Sequence, residues 1–380
     1  MPENSLIYLD FNATTPVDPL VLEAMMPYFS ENFANAASRT HLAGRAIAEV
    51  VEESRKSISE FIGSEPGEVV FTSGSTESIN LAIKGVAAAY ISKGKHLITW
   101  ATEHKAVLDV CGKLKESGYE ITILPVNRDG LPDPELYRSA LRKDTILTVM
   151  MLANNETGVI QPVQEFAKIA RENNCLFFCD ATQASGKMLV NVNDLGVDLL
   201  CLSAHKMYGP KGTGALFIRR KNPRVHLIPL IDGGGHENGM RSGTLNVPGI
   251  IGLAKAAELA TQRYWEDTTR ISVLRTTLEQ LLTTNGTGYV NGSVKTRLPN
   301  TTNIFFPGLK AETLLTKIPN LAVATGSACT SALPEPSHVL KAMGLRDEEA
   351  YGAIRFSLGR QTTESEIMNA VQLILRQLKK

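Results

Sequence analysis

Seven short apolar runs recur between residues 68 and 218, and that rhythm constrains the fold more than any other feature. They are Glu68–Phe71, His96–Trp100, Glu120–Pro125, Thr145–Met151, Leu176–Cys179, Leu199–Leu202 and Ala215–Ile218. Segments between them, such as Pro162–Asn173, and Ala43–Ile62 ahead of them, repeat their apolar residues at helical spacing. Strands alternating with helices predict an α/β chain with a mostly parallel sheet covered on both faces. Such a sheet binds its ligands outside the carboxyl ends of its strands. A chain of 380 residues has the length for one large and one smaller domain. A long helical stretch from Pro248 to about Leu282 is expected to bridge the two.

Two strand ends carry chemistry. Leu199–Leu202 runs into Ser203-Ala204-His205-Lys206, which puts an amine at the mouth of the sheet. A lysine there can form a Schiff base with an aldehyde cofactor, the way pyridoxal phosphate is held. It could equally be a surface lysine in a glycine-rich turn. Asp180 ends Leu176–Cys179 and precedes Ala181-Thr182-Gln183. Its carboxylate could cap a following helix, or pair with a protonated pyridine nitrogen. The order of the two, a carboxylate at one strand end and a lysine at a later one, favours the cofactor reading. Gln183 is then placed to hydrogen-bond the ring hydroxyl.

A phosphate also needs partners. Phe71-Thr72-Ser73-Gly74-Ser75-Thr76-Glu77-Ser78 joins a strand to the apolar helix Ile79–Ala89. Backbone N–H groups at a helix start, beside a glycine, form an anion site, to which Ser75 and Thr76 would add hydroxyls. An ordinary Ser/Thr cap is the plainer alternative. Ser203 and His205 flank the lysine, and the glycine-dense stretch Gly233–Thr244 adds Thr244. So many glycines suggest a ligand or subunit contact.

Taken together, the motifs resemble a known family. They include Tyr8–Pro16, Thr102-Glu103-His104-Lys105, Asn154-Asn155-Glu156-Thr157-Gly158, Asp180–Gln183, Ser203–Lys206, Arg241-Ser242-Gly243-Thr244 and Gly326–Ser331. In this order, over nearly the whole chain, they are similar to the cysteine desulfurases of the first group, within the class V aminotransferase-like proteins. The resemblance implies the pyridoxal-phosphate fold type I, with a large domain over 16–260 and a smaller α+β domain from 1–15 and 261–380. It implies conversion of L-cysteine to L-alanine, with sulfur passed as a persulfide to an acceptor protein for iron–sulfur cluster assembly or thiolation. It further implies a homodimer with shared active sites; the cytoplasm is the default location for a chain with no signal-peptide pattern.

The same resemblance suggests roles residue by residue. Lys206 would hold the cofactor and shuttle protons. His104 would stack on the ring and handle protons on the substrate sulfur. Asn155 and Arg355 would clamp the substrate carboxylate, a task suited to a planar guanidinium. Asn35 would also touch substrate, although Ala36 stands where relatives usually have proline, and Leu152 where many have histidine. Thr76, Ser203 and His205 would bind the phosphate within one subunit, and Thr244 would reach across from the other. No resident metal is implied, though Cys329 could transiently ligate an iron–sulfur cluster.

Cys329 distinguishes a desulfurase from the aminotransferases. It lies in Gly326-Ser327-Ala328-Cys329-Thr330-Ser331, among small residues and ahead of two prolines. That setting suits an accessible, reactive thiol. Cys111, Cys175, Cys179 and Cys201 sit in apolar segments and read as core. Selenocysteine lyase and a class V aminotransferase are the rival enzymes. A non-catalytic sulfur carrier would leave Lys206 and Asp180 unexplained.

Bulk properties agree with a globular enzyme. Lys+Arg and Asp+Glu balance at 39 each, so net charge suggests neither nucleic-acid nor membrane binding. The start carries no signal-peptide pattern. An odd count of five cysteines points to a reducing compartment. Gly209–Gly214 lacks the Gly-Lys-Ser/Thr ending of a nucleotide-binding loop.

Overall fold

The computed structural model describes residues 6–325 and 336–378. Twelve strands occur among them: β1 (Ile7–Tyr8), β2 (Val69–Thr72), β3 (His96–Trp100), β4 (Glu120–Leu124), β5 (Thr145–Met151), β6 (Leu176–Asp180), β7 (Leu199–Ser203), β8 (Gly214–Ile218), β9 (Tyr289–Val290), β10 (Thr301–Phe305), β11 (Leu321–Ala322) and β12 (Ala353–Ser357). The main sheet has seven strands in the order β2-β8-β7-β6-β5-β3-β4. All neighbours from β7 through β4 pair in parallel, while β8 runs antiparallel to both β7 and β2. The expected α/β sheet is therefore present, with one reversed strand.

The alternation of side chains explains why these runs read as apolar throughout. Phe71, Trp100, Met150, Phe177, Leu202 and Phe217 enter one buried cluster. Val70, Leu97, Val149, Phe178, Leu199 and Leu216, from the same strands, enter another on the opposite face. A strand buried on both faces has no polar side to show. Helix Leu42–Ile62 covers the first face with Ile47, Val51, Ile58 and Ile62, spaced as one helical stripe. Gly63, at φ 69°, then ends that helix in the left-handed conformation. Helices Ser75–Ala89 and Lys105–Glu116 cover the second face. Each fully buried Ile or Leu in these stripes contributes about 1.5–3 kcal/mol of transfer free energy.

A third cluster lies apart from the main sheet. It unites Ile7 and Leu9 with Leu278, Leu282, Ile304, Phe356 and Ile374. Strands β12, β10 and β9 form an antiparallel sheet there, and β1 pairs with β11.

Local boundaries depart from the sequence reading at two places. The stretch expected to run as one helix from Pro248 is two helices, Val247–Gln262 and Tyr264–Thr283, with Arg263 between them out of helical geometry. Arg263 bonds Asp18 through its side chain, an anchor on the opposite end of the chain. The helix expected from Ile79 begins at Ser75, because its polar first turn follows Gly74 directly. Among the described residues no helix is long and apolar enough to cross a membrane.

Candidate active site

The order of the sheet creates a crevice. Chain order moves outward from β3 to β4, then returns to place β5 on the other side of β3. Beyond β5 the sheet continues through β6 and β7, so β3 and β5 flank the reversal that makes a ligand crevice in α/β sheets. The segments after β2, β3, β5, β6 and β7 all contribute to one cleft of about 580 Å³. It takes Ser75 and Thr76 from beyond β2, His104 from beyond β3 and Asn155 from beyond β5. Asp180 and Gln183 come from the end of β6, and Ser203, His205 and Lys206 from the end of β7. Arg355 of β12 completes the wall.

Lys206 closes a single 3-10 turn after β7. Its Nζ donates to the main-chain oxygens of Asn12 at 2.6 Å and Ala13 at 2.7 Å. Asp180 is buried, and its Oδ1 accepts from the Thr182 N–H at 2.9 Å and from the Thr182 hydroxyl. The next helix, Val192–Leu195, is capped by Asn191, so Asp180 does not act as a helix cap. The Thr182 hydroxyl also reaches Ser75 Oγ at 2.6 Å, tying the β6 end to the start of helix Ser75–Ala89.

That helix start has the geometry of an anion cradle. Gly74 precedes the helix at φ 141°, where a side chain would be strained, and it faces Ser203. The N–H groups of a first helical turn have no partner within the helix, and this turn lines the same cleft as Ser203 and His205. Burial, with Lys206, Lys211 and Lys187 adding to it, pushes the His205 imidazole down to about 4. Glu77 stands in the same first turn, accepting from Ser73 N–H and pairing with Arg241 at 2.9 Å. Burial opposes its charge, but the bond to Arg241 prevails and lowers its pKa.

His104 caps helix Lys105–Glu116, with Nδ1 accepting the Ala106 N–H at 3.1 Å. An accepting Nδ1 carries no proton, so the neutral ring holds its proton on Nε2. Desolvation by the cleft wall and the charges of Lys206 and His338 keep this imidazole below its ordinary value, against the pull of Asp180. Glu103, the preceding residue, is buried and accepts from Met151 N–H at 2.8 Å. Burial, then the nearby Asp180, raises its carboxyl well above the usual range.

Arg355 and Asn155 lie together in the cleft wall. Arg355 Nη1 donates to the Asn155 main-chain oxygen at 3.0 Å, and Nη2 pairs with Asp10 at 2.6 Å. Its Nε, and the side-chain oxygen of Asn155, are buried without a partner among the described residues. Orphaned polar atoms of this kind mark a place where a ligand completes the bonding.

Other expectations fall elsewhere. Asn35 is exposed, accepts from Ala37 N–H and does not line the cleft. Thr244 is also exposed and off the cleft lining. Leu152 is a core residue in the first cluster, and Ala36 packs against that cluster. Cys111, Cys175, Cys179 and Cys201 are free and buried. Cys329 lies outside the described residues.

Sequence reasoning missed Asn12 and Lys187. Asn12 donates through Nδ2 to the Asn155 oxygen and to Thr301, and its Oδ1 accepts from Asn300 and Lys187. Burial, then the charges of Lys206 and Arg355, hold Lys187 well below the ordinary lysine value. Asn12 sits inside a quoted motif, but nothing local signals a partner 194 residues away.

The family model for aminotransferase class-V matches residues 7–369. The chain belongs to the aminotransferase class-V family. Relatives named cysteine desulfurase IscS include one from Anaeromyxobacter sp. (strain Fw109-5), 52% identical over 98% of this chain and 93% of its own length. Another, from Mannheimia succiniciproducens, is 49% identical over the same shares. Among solved structures, a NifS-like protein is 37% identical, with a TM-score of 0.92 over 98% of this chain and 99% of that one. A structure described as SspA in complex with cysteine is 37% identical, with a TM-score of 0.83 over 92% and 98%.

Proposed function

We propose that this chain is a pyridoxal-phosphate-dependent cysteine desulfurase that converts L-cysteine to L-alanine and carries the sulfur as a persulfide on Cys329. One observation carries the reading: the amine of Lys206 and the carboxylate of Asp180 open on one cleft, beside a glycine-led helix start. Relatives at about half identity over nearly the full chain bear the name of that activity, and a structural neighbour at 37% identity is described with cysteine bound.

The donor set fits pyridoxal phosphate. Lys206 would hold its aldehyde, Asp180 its pyridine nitrogen and Gln183 its ring hydroxyl. Ser75, Thr76, Ser203 and His205 would hold its phosphate, with a neutral His205 donating one N–H. When bound, the cofactor supplies an electron-poor ring that takes up the electron pair released at the substrate α-carbon.

The remaining steps use the chain's own groups. Arg355 and Asn155 would bind the substrate carboxylate with their side-chain N–H donors and so orient the α-carbon in the cleft. Lys206 Nζ, once free, takes the α-proton and later returns a proton to carbon. His104 holds its proton at Nε2 and faces the cleft as a donor toward the substrate sulfur. Cys329 attacks that sulfur as thiolate: a sulfur–sulfur bond forms, the carbon–sulfur bond breaks, and its electron pair stays with the carbon fragment that becomes alanine.

The chain is further proposed to act as a cytoplasmic homodimer in which Thr244 serves the partner's phosphate site. Exposed Met26, Phe29, Phe33 and Leu42 support a covered apolar face near the start of the chain. A large domain over 16–260 and a small one from the two chain ends agree with the third cluster, which joins Ile7 and Leu9 to the C-terminal strands. The acceptor of the persulfide sulfur is a protein of iron–sulfur assembly or of a thiolation system.

Borohydride reduction of the yellow protein, followed by peptide mapping, tests the reading. The account expects the cofactor fixed on Lys206 and alanine formed from L-cysteine before reduction. A colourless protein that does not take up the cofactor contradicts it.

A further inference from the structure

Behind Lys206 lies a second lysine that the mechanism above does not use. Lys187 Nζ donates to Gln183 Oε1 at 2.7 Å and to Asn12 Oδ1 at 3.1 Å. Both recorded partners are neutral amide oxygens. Gln183 in turn donates from Nε2 to the main-chain oxygen of Asn12 at 3.0 Å, the same oxygen that accepts from Lys206.

These contacts remove the freedom of the Gln183 amide. The Asn12 oxygen only accepts, so Gln183 must turn its nitrogen there. Lys187 Nζ donates to Gln183 Oε1, so the amide oxygen is the end turned to Lys187. The two demands agree on one orientation. Gln183 lines the cleft, and the group it then offers is its second N–H, a donor. With the amide reversed, its oxygen would face the Asn12 oxygen and present an acceptor to the cleft.

We infer that Lys187 is a positioning residue: by holding Gln183 Oε1 and Asn12 Oδ1, it makes Gln183 a hydrogen-bond donor toward an anionic oxygen in the cleft and keeps the Asn12 carbonyl beneath Lys206. The inference rests on the pyridoxal-phosphate reading, in which that oxygen is the ring oxygen of the cofactor. It assigns Lys187 no contact with substrate or cofactor; its effect passes through its two neighbours.

A double-mutant cycle tests this. K187M, Q183L, the double variant and K187R are loaded with pyridoxal phosphate. Cofactor loss on dilution and the position of the visible absorption band are then measured, with a thermal melt for each protein. K187M is expected to lose cofactor about five- to tenfold faster than wild type, the scale of one hydrogen bond, and to shift the band as Q183L does. The double variant should match Q183L alone, and K187R should restore most of the wild-type band. If K187M does not melt cooperatively, K187Q takes its place and should shift the band in the same direction. Wild-type retention and band in the Lys187 variant, or effects that add to those of Q183L, overturn the inference. A wild-type protein that takes up no pyridoxal phosphate instead overturns the reading beneath it.

Discussion

The Nζ of Lys206 stands 2.6 Å from the main-chain oxygen of Asn12, so the amine at the end of β7 is held by a segment near the start of the chain. Asn12 also bonds Asn155, Asn300 and Thr301. One residue thus links the lysine, Asn155 and β10.

Replacing Lys206 with alanine should abolish alanine formation and leave no cofactor fixed by borohydride. Asp180 and the phosphate cradle are untouched, so the variant should still bind pyridoxal phosphate reversibly. Absorbance before and after reduction and gel filtration reads both outcomes. Lys211 also lines the cleft, and cofactor fixed on it would reassign the role.

The glycine-dense segment is anchored by a buried ion pair. Both carboxylate oxygens of Glu237 meet Arg55 at 2.8 Å, and one also accepts from Phe71 N–H at 2.7 Å. Both side chains are almost fully buried. Removing Glu237 strips the buried guanidinium of its bidentate partner and leaves it the exposed Glu52 carboxylate and the Val69 main-chain oxygen, so Glu237→Ala should cost about 3 kcal/mol of unfolding free energy. Urea denaturation of the apoprotein measures it; a loss below about 1 kcal/mol would fall within the range of a surface pair instead.

His205 gives a pH dependence with a definite sign. Its folded value is about 4 against 6.5 for the unconstrained group. Between those values the unfolded chain binds the additional proton. The contribution of His205 to stability is therefore complete above pH 6.5, falls as pH drops through the window and levels off below about 4. His205→Asn should flatten that part of the apoprotein's stability profile. A bound phosphate would favour the charged ring, so the holoprotein should show a smaller difference between wild type and variant. Equal profiles for the two apoproteins would contradict the assignment.

Thr244 is exposed in the single chain, and the proposed dimer gives it a partner. Thr244→Ala should raise cofactor loss only a few-fold, because the helix start, Ser203 and His205 remain; one neutral hydrogen bond contributes about 1 kcal/mol. Sedimentation of the wild type should give a dimer. A fully active monomer would remove the role.

What the sequence made legible follows from how each feature is encoded. Strands β6 and β7 are buried on both faces, so they stand out as apolar runs, and the polar residues that follow them could be read as candidate site residues. Asp180 stood out as a candidate because it directly follows such a run, and Lys206 because it closes the short polar segment after one. The helix start at Ser75 was obscured by a polar first turn, since the helical stripe begins only at Ile79. The break at Arg263 carries no glycine or proline, so apolar spacing alone could not announce it. Asn12, Lys187 and the Arg55–Glu237 pair depend on contacts between distant segments. Their residue types are ordinary, and only the folded chain brings them together.

The central claim is that sulfur leaves L-cysteine for Cys329. Wild-type protein and Cys329→Ser, both loaded with pyridoxal phosphate, are given L-cysteine; alanine is quantified and enzyme-bound persulfide is mapped by mass spectrometry. The account predicts alanine and a persulfide on Cys329 in the wild type. It predicts a yellow serine variant that binds cysteine and releases almost no alanine, because a serine hydroxyl is not ionised near neutral pH and attacks sulfur poorly. Alanine from the serine variant at a rate comparable to wild type would contradict it.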